Sequence, residues 1–486
     1  MARNVLLITT DQQRFDALGC NGGAFARTPN IDALAVTGLN YTQARNQSTV
    51  CMPARSTILT GQSIRRHGVT SNGIPLPEHA PNIAQLLADN GYRTALIGKA
   101  HFEPHAAKTY FENTAAGDGS TGPHRGFERM ELCGHTGRAG RSLFHYPKWL
   151  ADAHPDAVEG FHEYAVGGAP SNAGWGDTGA PQVAHNPIAV EHYHTHWTAA
   201  RTMDWLGGLA DTDNWFCWMS FPDPHHPWDP PAAAAKRFDW RDLPLPAGYP
   251  GSPEKCIEIL EDKPRHWLEW YQGNARFNFE VPPDYVPAKT TADQIREINT
   301  MVHAENELID DAVGLLFKGP YHVEALMHVP LIWRPAAQVG IAAGPMEAPV
   351  GHLDIAPTIA AIAGFDVPDW MQGERLPTGK DTANGREPTI NPTRERTITE
   401  WYDTWEGNEI ALQTLARDNW VITAYSATSY YAGDEGELYD ISEDPNQWRN
   451  LWNEPTFEAK KSDLLADLYD HLPEGLAEPL EKVAPV

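Results

Sequence analysis

An unbroken apolar, β-rich run from Asn4 to Thr10 (NVLLITT) constrains the fold of this chain more than any other feature. It reads as a strand buried on both faces, the kind found inside a parallel sheet. The chain beyond it keeps a helix-then-strand rhythm. Thr28–Thr37 reads as a short helix. Pro81–Asn90 (PNIAQLLADN) reads as an amphipathic helix with proline at its start and Gly91 just past its end. Arg93–Ile97 is a second buried strand. His192–Leu209 reads as a helix, Trp215–Phe221 as a strand, Thr291–Val313 as a long helix, Val329–Trp333 as a strand and His352–Gly364 as a helix closed by glycine. Alternation of this kind predicts an α/β domain with a mostly parallel sheet flanked by helices.

The pattern changes after a Pro/Gly-rich connection over 366–395. Arg396–Asp403, Ala411–Tyr425 and Glu437–Ile441 read as strands on short turns, and Phe457–Leu472 as a closing helix. A smaller C-terminal α+β subdomain is expected over 376–486, behind a main domain over 1–375. Segments 103–185 and 227–290, rich in Gly, His, Pro and Trp, read as long loops.

Composition excludes more than it suggests. A formal net charge of -27 argues against nucleic acid or an anionic membrane as the main partner, because both need a basic surface. The five cysteines (Cys20, Cys51, Cys133, Cys217, Cys256) are scattered and contain no C-x-x-C pair, so neither a disulfide framework nor a zinc knuckle is expected. No stretch approaches the roughly 20 apolar residues of a membrane span, and the N-terminus lacks the apolar core and cleavage site of a secretory signal. A cytoplasmic location is the expectation.

Chemistry concentrates in a few segments. Asp11-Gln12 follows the first strand directly, and ligands of open α/β sheets gather at the carboxyl ends of strands. The pair offers two oxygens of the type hard cations prefer; an Asp that merely caps the next turn is the competing explanation. In Ser48-Thr-Val-Cys-Met-Pro-Ala-Arg-Ser-Thr-Ile-Leu-Thr-Gly61, Pro53 suits the first position of a helix and Gly61 its exit. Cys51 is then expected just before a helix N-terminus, where unpaired N–H groups favour negative charge, with Arg55 one turn further on. Position alone leaves a reactive thiol and a buried structural cysteine equally open.

C-x-P-x-R followed by S-T-x-x-T-G resembles the signature of the type I sulfatases of the alkaline phosphatase superfamily: Cys51, Pro53, Arg55, Ser56, Thr57, Thr60 and Gly61 match it in full. Other segments resemble the family in the same order. Gly98-Lys-Ala-His-Phe102 is similar to its G-K-x-H segment, Pro224-His-His-Pro227 to its P-H-x-P segment, and Phe317-Lys-Gly-Pro320 to the stretch supplying a second lysine. The C-terminal Glu437–Pro445 and Trp448–Asn450 also match, so the resemblance runs from residue 4 to about residue 455. It implies an alkaline-phosphatase-like fold and a sulfatase in which Cys51 is oxidised to formylglycine by a maturing enzyme. The hydrated aldehyde then supplies the nucleophilic hydroxyl, and its second hydroxyl later expels sulfate. It further implies that Asp11, Gln12 and Cys51 hold one divalent cation, Ca²⁺ ahead of Mg²⁺ or Mn²⁺. Arg55, Lys99, His101 and Lys318 would hold the nucleophile and sulfate, and His225 would be the general acid. Asn72 and His226 are the substrate-contact candidates. A small sulfate ester is the expected partner, and an oligomer is compatible with the sequence.

One departure stands out. In the family the long helix before the lysine segment leads to a further strand ending in Asp-His or Asp-Asn, which completes the metal site. Here Glu305–Val313 runs straight into Gly314-Leu-Leu-Phe-Lys318 with no such pair. Either a central strand is absent and water fills most of the cation's shell, or the sequence lacks a segment between Gly314 and Leu315. The second is the expectation, because losing a buried strand while keeping every other site residue is costly. Gln12 and Asn72 also resemble the phosphonate monoester hydrolases, but those relatives lack a comparable G-K-x-H segment, which favours sulfate esters. A phosphonate monoester or phosphodiester hydrolase, and an inactive anion-binding homologue, are the alternatives.

Overall fold

The computed structural model describes residues 4–105, 109–134, 144–157, 176–275, 285–313, 327–334, 343–376, 394–405, 407–476 and 478–484. Its centre is a parallel sheet of four strands: β1 Val5–Thr9, β4 Arg93–Gly98, β5 Arg129–Leu132 and β6 Trp215–Ser220, in the spatial order β1-β6-β4-β5. All three pairings are parallel, with Val5 opposite Phe216 and Arg93 opposite Trp215. Parallel neighbours need crossovers, and the intervening helices supply them on both faces. Alternation along each strand divides the core. Leu96, Phe216 and Trp218 face the helices Cys51–Thr60, Ile83–Asp89 and Ile355–Ala363. Ala95, Ile97 and Cys217 face Trp205 of the helix His194–Gly207, while Ile8 and Met219 meet Ile309 of the helix Ala292–Val313. The expected α/β architecture is present, and the strands and helices expected for this layer appear within a few residues of their sequence-based bounds.

Four short strands were not expected: β2 Leu39–Tyr41, β3 Ala44–Arg45, β8 Gly344–Met346 and β9 Val350–Gly351. With β7 Leu331–Trp333 they form two small sheets, β7-β2-β8 and β3-β9, beside the main one. Segments 103–185 and 227–290 are not all loop. Phe111–Asp118, His145–Ala153, Pro253–Glu261 and Arg265–Gln272 are helices, and β5 joins the main sheet. Their glycine, histidine and tryptophan content hides a helical period that tertiary packing supports.

β1 departs from expectation in its surroundings. Its only strand neighbour among the described residues is β6, and Leu6 is 39% exposed, so the strand is not buried on both faces. The other edge opens on an apolar cavity of about 510 Å³ lined by Leu6, Ile8, Leu331, Trp333, Ile355 and Ile359. The junction of Gly314 and Leu315 lies outside the described residues.

The C-terminal part is an antiparallel meander of β10 Thr397–Trp405, β11 Asn408–Arg417, β12 Trp420–Tyr425 and β13 Gly436–Asp440. The helix Glu458–His471 covers it, with Leu464 and Leu468 against Leu415, Ile422 and Leu438. The single expected strand Ala411–Tyr425 is in fact a hairpin. Asp418 and Asn419 both adopt left-handed φ, 52° and 64°, the geometry of a tight two-residue turn. β10 also braces the approach to the site: Glu400 N–H donates to Gln47 O at 3.0 Å, and the Thr399 hydroxyl to Asn46 O at 2.6 Å. No helix among the described residues is long and apolar enough to cross a membrane.

Candidate active site

The helix Cys51–Thr60 is buried along its entire length. Cys51 is its first residue rather than the residue before it, and Val50 is the N-cap. Pro53 in the first turn removes an N–H that would have no intrahelical partner. Gly61 closes the helix at φ 64°, donating to Thr57 O at 2.8 Å. At the other end Asn72 Oδ1 accepts the Met52 N–H at 3.0 Å, so this side chain satisfies an orphan donor of the helix and fixes its start.

His67 anchors the same helix from below. Val69 N–H donates to its Nδ1 at 3.1 Å, which puts the ring proton on Nε2, 3.0 Å from the Thr57 hydroxyl. Burial pushes its pKa down to about 3. The unfolded chain binds a proton there below about 6.5, so this contribution to stability is complete above that pH and is lost as pH falls toward about 3. His67→Gln should therefore show a smaller drop in Tm between pH 7 and pH 4 than the unsubstituted protein, read by calorimetry; an equal drop contradicts the assignment.

Three adjacent strand ends deliver the charged groups. Asp11 follows β1, Lys99 follows β4 and Ser220 ends β6, and all lie at the carboxyl edge of the sheet. Gly98, at φ 108°, allows the close approach: a Cβ there would lie 1.8 Å from Ser220 O. Lys99 Nζ is 3.6 Å from Cys51 Sγ and 2.6 Å from Asp11 Oδ2. Arg55 places NH2 3.2 Å from Asp11 Oδ2, and its NH1 donates to Lys99 O at 2.7 Å and Ser220 Oγ at 2.8 Å. Asp11 Oδ1 is 3.7 Å from Cys51 Sγ. Cys51, Arg55, Lys99 and Asp11 are exposed by only 5%, 1%, 0% and 2%. Among the described residues, two cations against one carboxylate leave an excess of positive charge beside the sulfur, in a site with little water to screen it.

His101 lies within electrostatic reach of Lys99, Arg55 and His225. His101 adopts φ 59° and Gln12 φ 62°, a strained conformation for such residues that costs on the order of 1–3 kcal/mol and is characteristic of functional sites. The Glu112 carboxylate holds the strained turn by accepting the His101 and Phe102 N–H groups at 2.9 Å each. Neither ring nitrogen of the buried His101 has a hydrogen-bond partner among the described residues. Burial, then His105, Lys99, Arg55 and His225, hold its pKa well below the usual range, so the ring is neutral. The His225 ring stacks on His226 at 4.2 Å, and its Nδ1 is 2.6 Å from His226 O. His226 Nδ1 is 3.1 Å from Gln12 Oε1, and its ring lies 5.7 Å from that of Trp228. Lys318 lies outside the described residues.

Several neighbours escape sequence reasoning. Ser220, Glu112 and Asp223 sit in or near the segments singled out for chemistry, but isolated polar residues carry no pattern that marks them. Asp223 accepts from the Thr195 hydroxyl at 2.6 Å, and burial raises its pKa to about 8. Glu305, fully buried in the long helix, is pushed well up by burial and then by Asp223 and Asp229.

Asp11 and Gln12 are oxygen donors of the kind a hard cation takes, and Asp11 Oδ1 already points at residue 51. The donor set fits in kind but is short in number: no third His, Cys, Asp or Glu ligand atom gathers with Asp11 and Cys51 among the described residues.

Geometry of this sort belongs to hydrolases that handle an anionic sulfuryl or phosphoryl group on an alkaline-phosphatase-like fold. The sulfatase family model matches residues 3–244, and the C-terminal model of N-sulphoglucosamine sulphohydrolase matches 316–473. The chain belongs to the sulfatase family, and with it to the sulfuric ester hydrolases. It is 24% identical to the uncharacterized sulfatase YidJ of Escherichia coli (strain K12), over 96% of this chain and 87% of the relative. It is likewise 24% identical to the arylsulfatase of Clostridium perfringens, over 95% and 92%. In fold it is similar to the phosphonate monoester hydrolase of Agrobacterium radiobacter, with a TM-score of 0.75 at 22% identity, covering 98% of this chain and 97% of that one.

Proposed function

We propose that the chain hydrolyses sulfate monoesters of small molecules, using an oxygen nucleophile made by converting Cys51 to formylglycine. The charge balance at residue 51 carries this reading. Among the described residues around Cys51, Arg55 and Lys99 outnumber Asp11, and this excess of buried positive charge suits an anionic ester.

Formylglycine, once hydrated, supplies the attacking hydroxyl and a second hydroxyl whose collapse expels sulfate; making it requires a maturing enzyme as partner. Asp11, Gln12 and the residue-51 oxygen would hold a divalent cation, Ca²⁺ by its preference for oxygen, which would neutralise charge on the sulfuryl group. Lys99 sits against the attacking atom, and with Arg55 it forms a fixed cationic wall for the sulfuryl oxygens. The neutral His101 donates a ring N–H to one of those oxygens. His225 donates its Nδ1–H to a backbone carbonyl, so the ring acts as the general acid only as the imidazolium, whose second proton, on Nε2, passes to the departing alkoxide. His226 and Trp228 form the rim, where an aromatic face suits aryl or sugar groups. Lys318 completes the cationic set by resemblance, and the catalytic unit spans residues 1–375 with the subdomain over 376–486 as its brace.

Substituting His225→Ala should lower kcat/KM by about 10²–10⁴-fold for an alkyl sulfate, whose leaving group needs a proton, and far less for nitrophenyl sulfate. Equal losses on both substrates contradict the acid role. Gln12 and Asn72 favour a second reading, a phosphonate monoester hydrolase with the same machinery. Comparing kcat/KM for an aryl sulfate and an aryl phosphonate monoester separates the two. The sulfate is expected to win; a higher value for the phosphonate overturns the substrate class.

A further inference from the structure

Away from the sulfate pocket, three potential ligands converge at the surface. Asp177 follows the long 135–175 stretch, His185 lies in the extended segment behind it, and Glu297 projects from the helix Ala292–Val313. His185 Nε2 is 3.9 Å from Asp177 Oδ1 and 3.9 Å from Glu297 Oε1. Both gaps are too long for a hydrogen bond. The nitrogen is nonetheless buried, and no hydrogen-bond partner meets it among the described residues. These two gaps are about 0.6 Å wider than the roughly 3.3 Å expected between two ligands on one zinc ion with bonds of about 2.0–2.1 Å, and all three ligand atoms lie within 4.8 Å of one another, so the side chains must draw together around an ion.

The two carboxylates are already aimed. Glu297 is fully buried; its Oε1 accepts the Asp177 N–H at 2.5 Å and its Oε2 the Thr178 N–H at 3.0 Å, which fixes the carboxylate and leaves Oε1 one further lone pair for an ion. Asp177 takes the Trp240 indole N–H on Oδ2 at 3.2 Å, which leaves Oδ1 toward His185. Outer partners that orient ligands in this way are typical of metal sites. Asp177 is 54% exposed, which gives an entry path.

We propose that Asp177, His185 and Glu297 form a second divalent-metal site, separate from the Asp11–Gln12 pair and selective for Zn²⁺ over Ca²⁺. An imidazole with two carboxylates suits a transition-metal ion, whereas Ca²⁺ takes oxygen ligands almost exclusively. The ion would pin the 177–186 segment to the long helix. That segment in turn holds the rim beside His226: Trp228 N–H donates to Gln182 O at 2.8 Å, and Ala184 N–H to Trp228 O at 3.0 Å. The site is thus structural, and it steadies one wall of the substrate entrance.

The test is calorimetric titration of chelator-treated full-length protein with Zn²⁺, then with Ca²⁺, comparing the unsubstituted chain with His185→Gln and Asp177→Asn. Zinc-edge anomalous diffraction from the unsubstituted chain accompanies it. The expected result is one Zn²⁺ equivalent that weakens at least about tenfold in both variants, an anomalous peak between the three side chains, and an unchanged Ca²⁺ titration. Both substituted positions are partly exposed, so either variant suffices should the other misfold. Unaltered Zn²⁺ stoichiometry and affinity in the variants, or a peak elsewhere only, overturns the proposal.

Discussion

Cys51→Ala should abolish turnover, lowering kcat/KM for an aryl sulfate by about 10⁴-fold or more, because it removes the atom from which the nucleophile is made. The loss should be chemical rather than structural. Cys51 is a small side chain at the start of a helix held by Asn72 at one end and by Gly61 and His67 at the other. Its polar contacts, with Asp11 and Lys99, are long at 3.7 and 3.6 Å, and those two groups keep each other at 2.6 Å without it. A Tm within a few degrees of the unsubstituted protein, together with lost turnover, is the expected pair of observations. Retained turnover in the alanine variant contradicts the role of residue 51.

Lys99→Met should lower kcat/KM by about 10²–10³-fold, the loss seen when one fixed donor to a developing anion is removed. Methionine keeps most of the side-chain volume and removes the charge. Asp11 then retains Arg55, so the site loses the positive charge that Lys99 holds against the sulfuryl oxygens. Inhibition by free sulfate should weaken in the same variant, because product and transition state share the sulfuryl oxygens. Unchanged sulfate inhibition beside reduced turnover would move Lys99 from anion binding to positioning of the nucleophile alone. Lys99→Arg should not rescue, since a planar guanidinium does not fit a fully buried slot shaped for a point charge.

The residues behind these effects are legible in the sequence for physical reasons. β4 and β6 announce themselves as apolar runs because parallel strands are buried on both faces, and Lys99, at the end of β4, inherits its position from that burial. The C-x-P-x-R spacing puts Arg55 one turn beyond Cys51, which is where its guanidinium must be to reach Asp11 and Ser220 together. The helix starts two residues before Pro53, the first helical position that the motif suggests, because its cap is an apolar residue, Val50, with no side-chain signature.

What stays hidden depends on contacts that no local pattern encodes. β1 looks like a central strand in sequence, yet among the described residues its one strand neighbour is β6 and its other side meets an apolar cavity, an exposure that no local pattern encodes. The helices within 103–185 and 227–290 are obscured by glycine, proline and tryptophan, and they form against tertiary neighbours. Asp418-Asn419 is a turn signal of known chemistry, masked by the otherwise continuous β run on either side. Glu112 and Asp223 matter through hydrogen bonds to strained or buried groups, and only the folded chain brings those groups within reach.

The central claim is that residue 51 acts as an oxidised cysteine. It is tested most directly by mass measurement of the tryptic peptide spanning residues 46–55, from protein produced with and without a formylglycine-generating enzyme, beside the activity of each sample. The expected result is a loss of about 18 Da on residue 51, with turnover rising in proportion to the converted fraction. Full activity in a sample whose Cys51 remains an unmodified thiol contradicts the account.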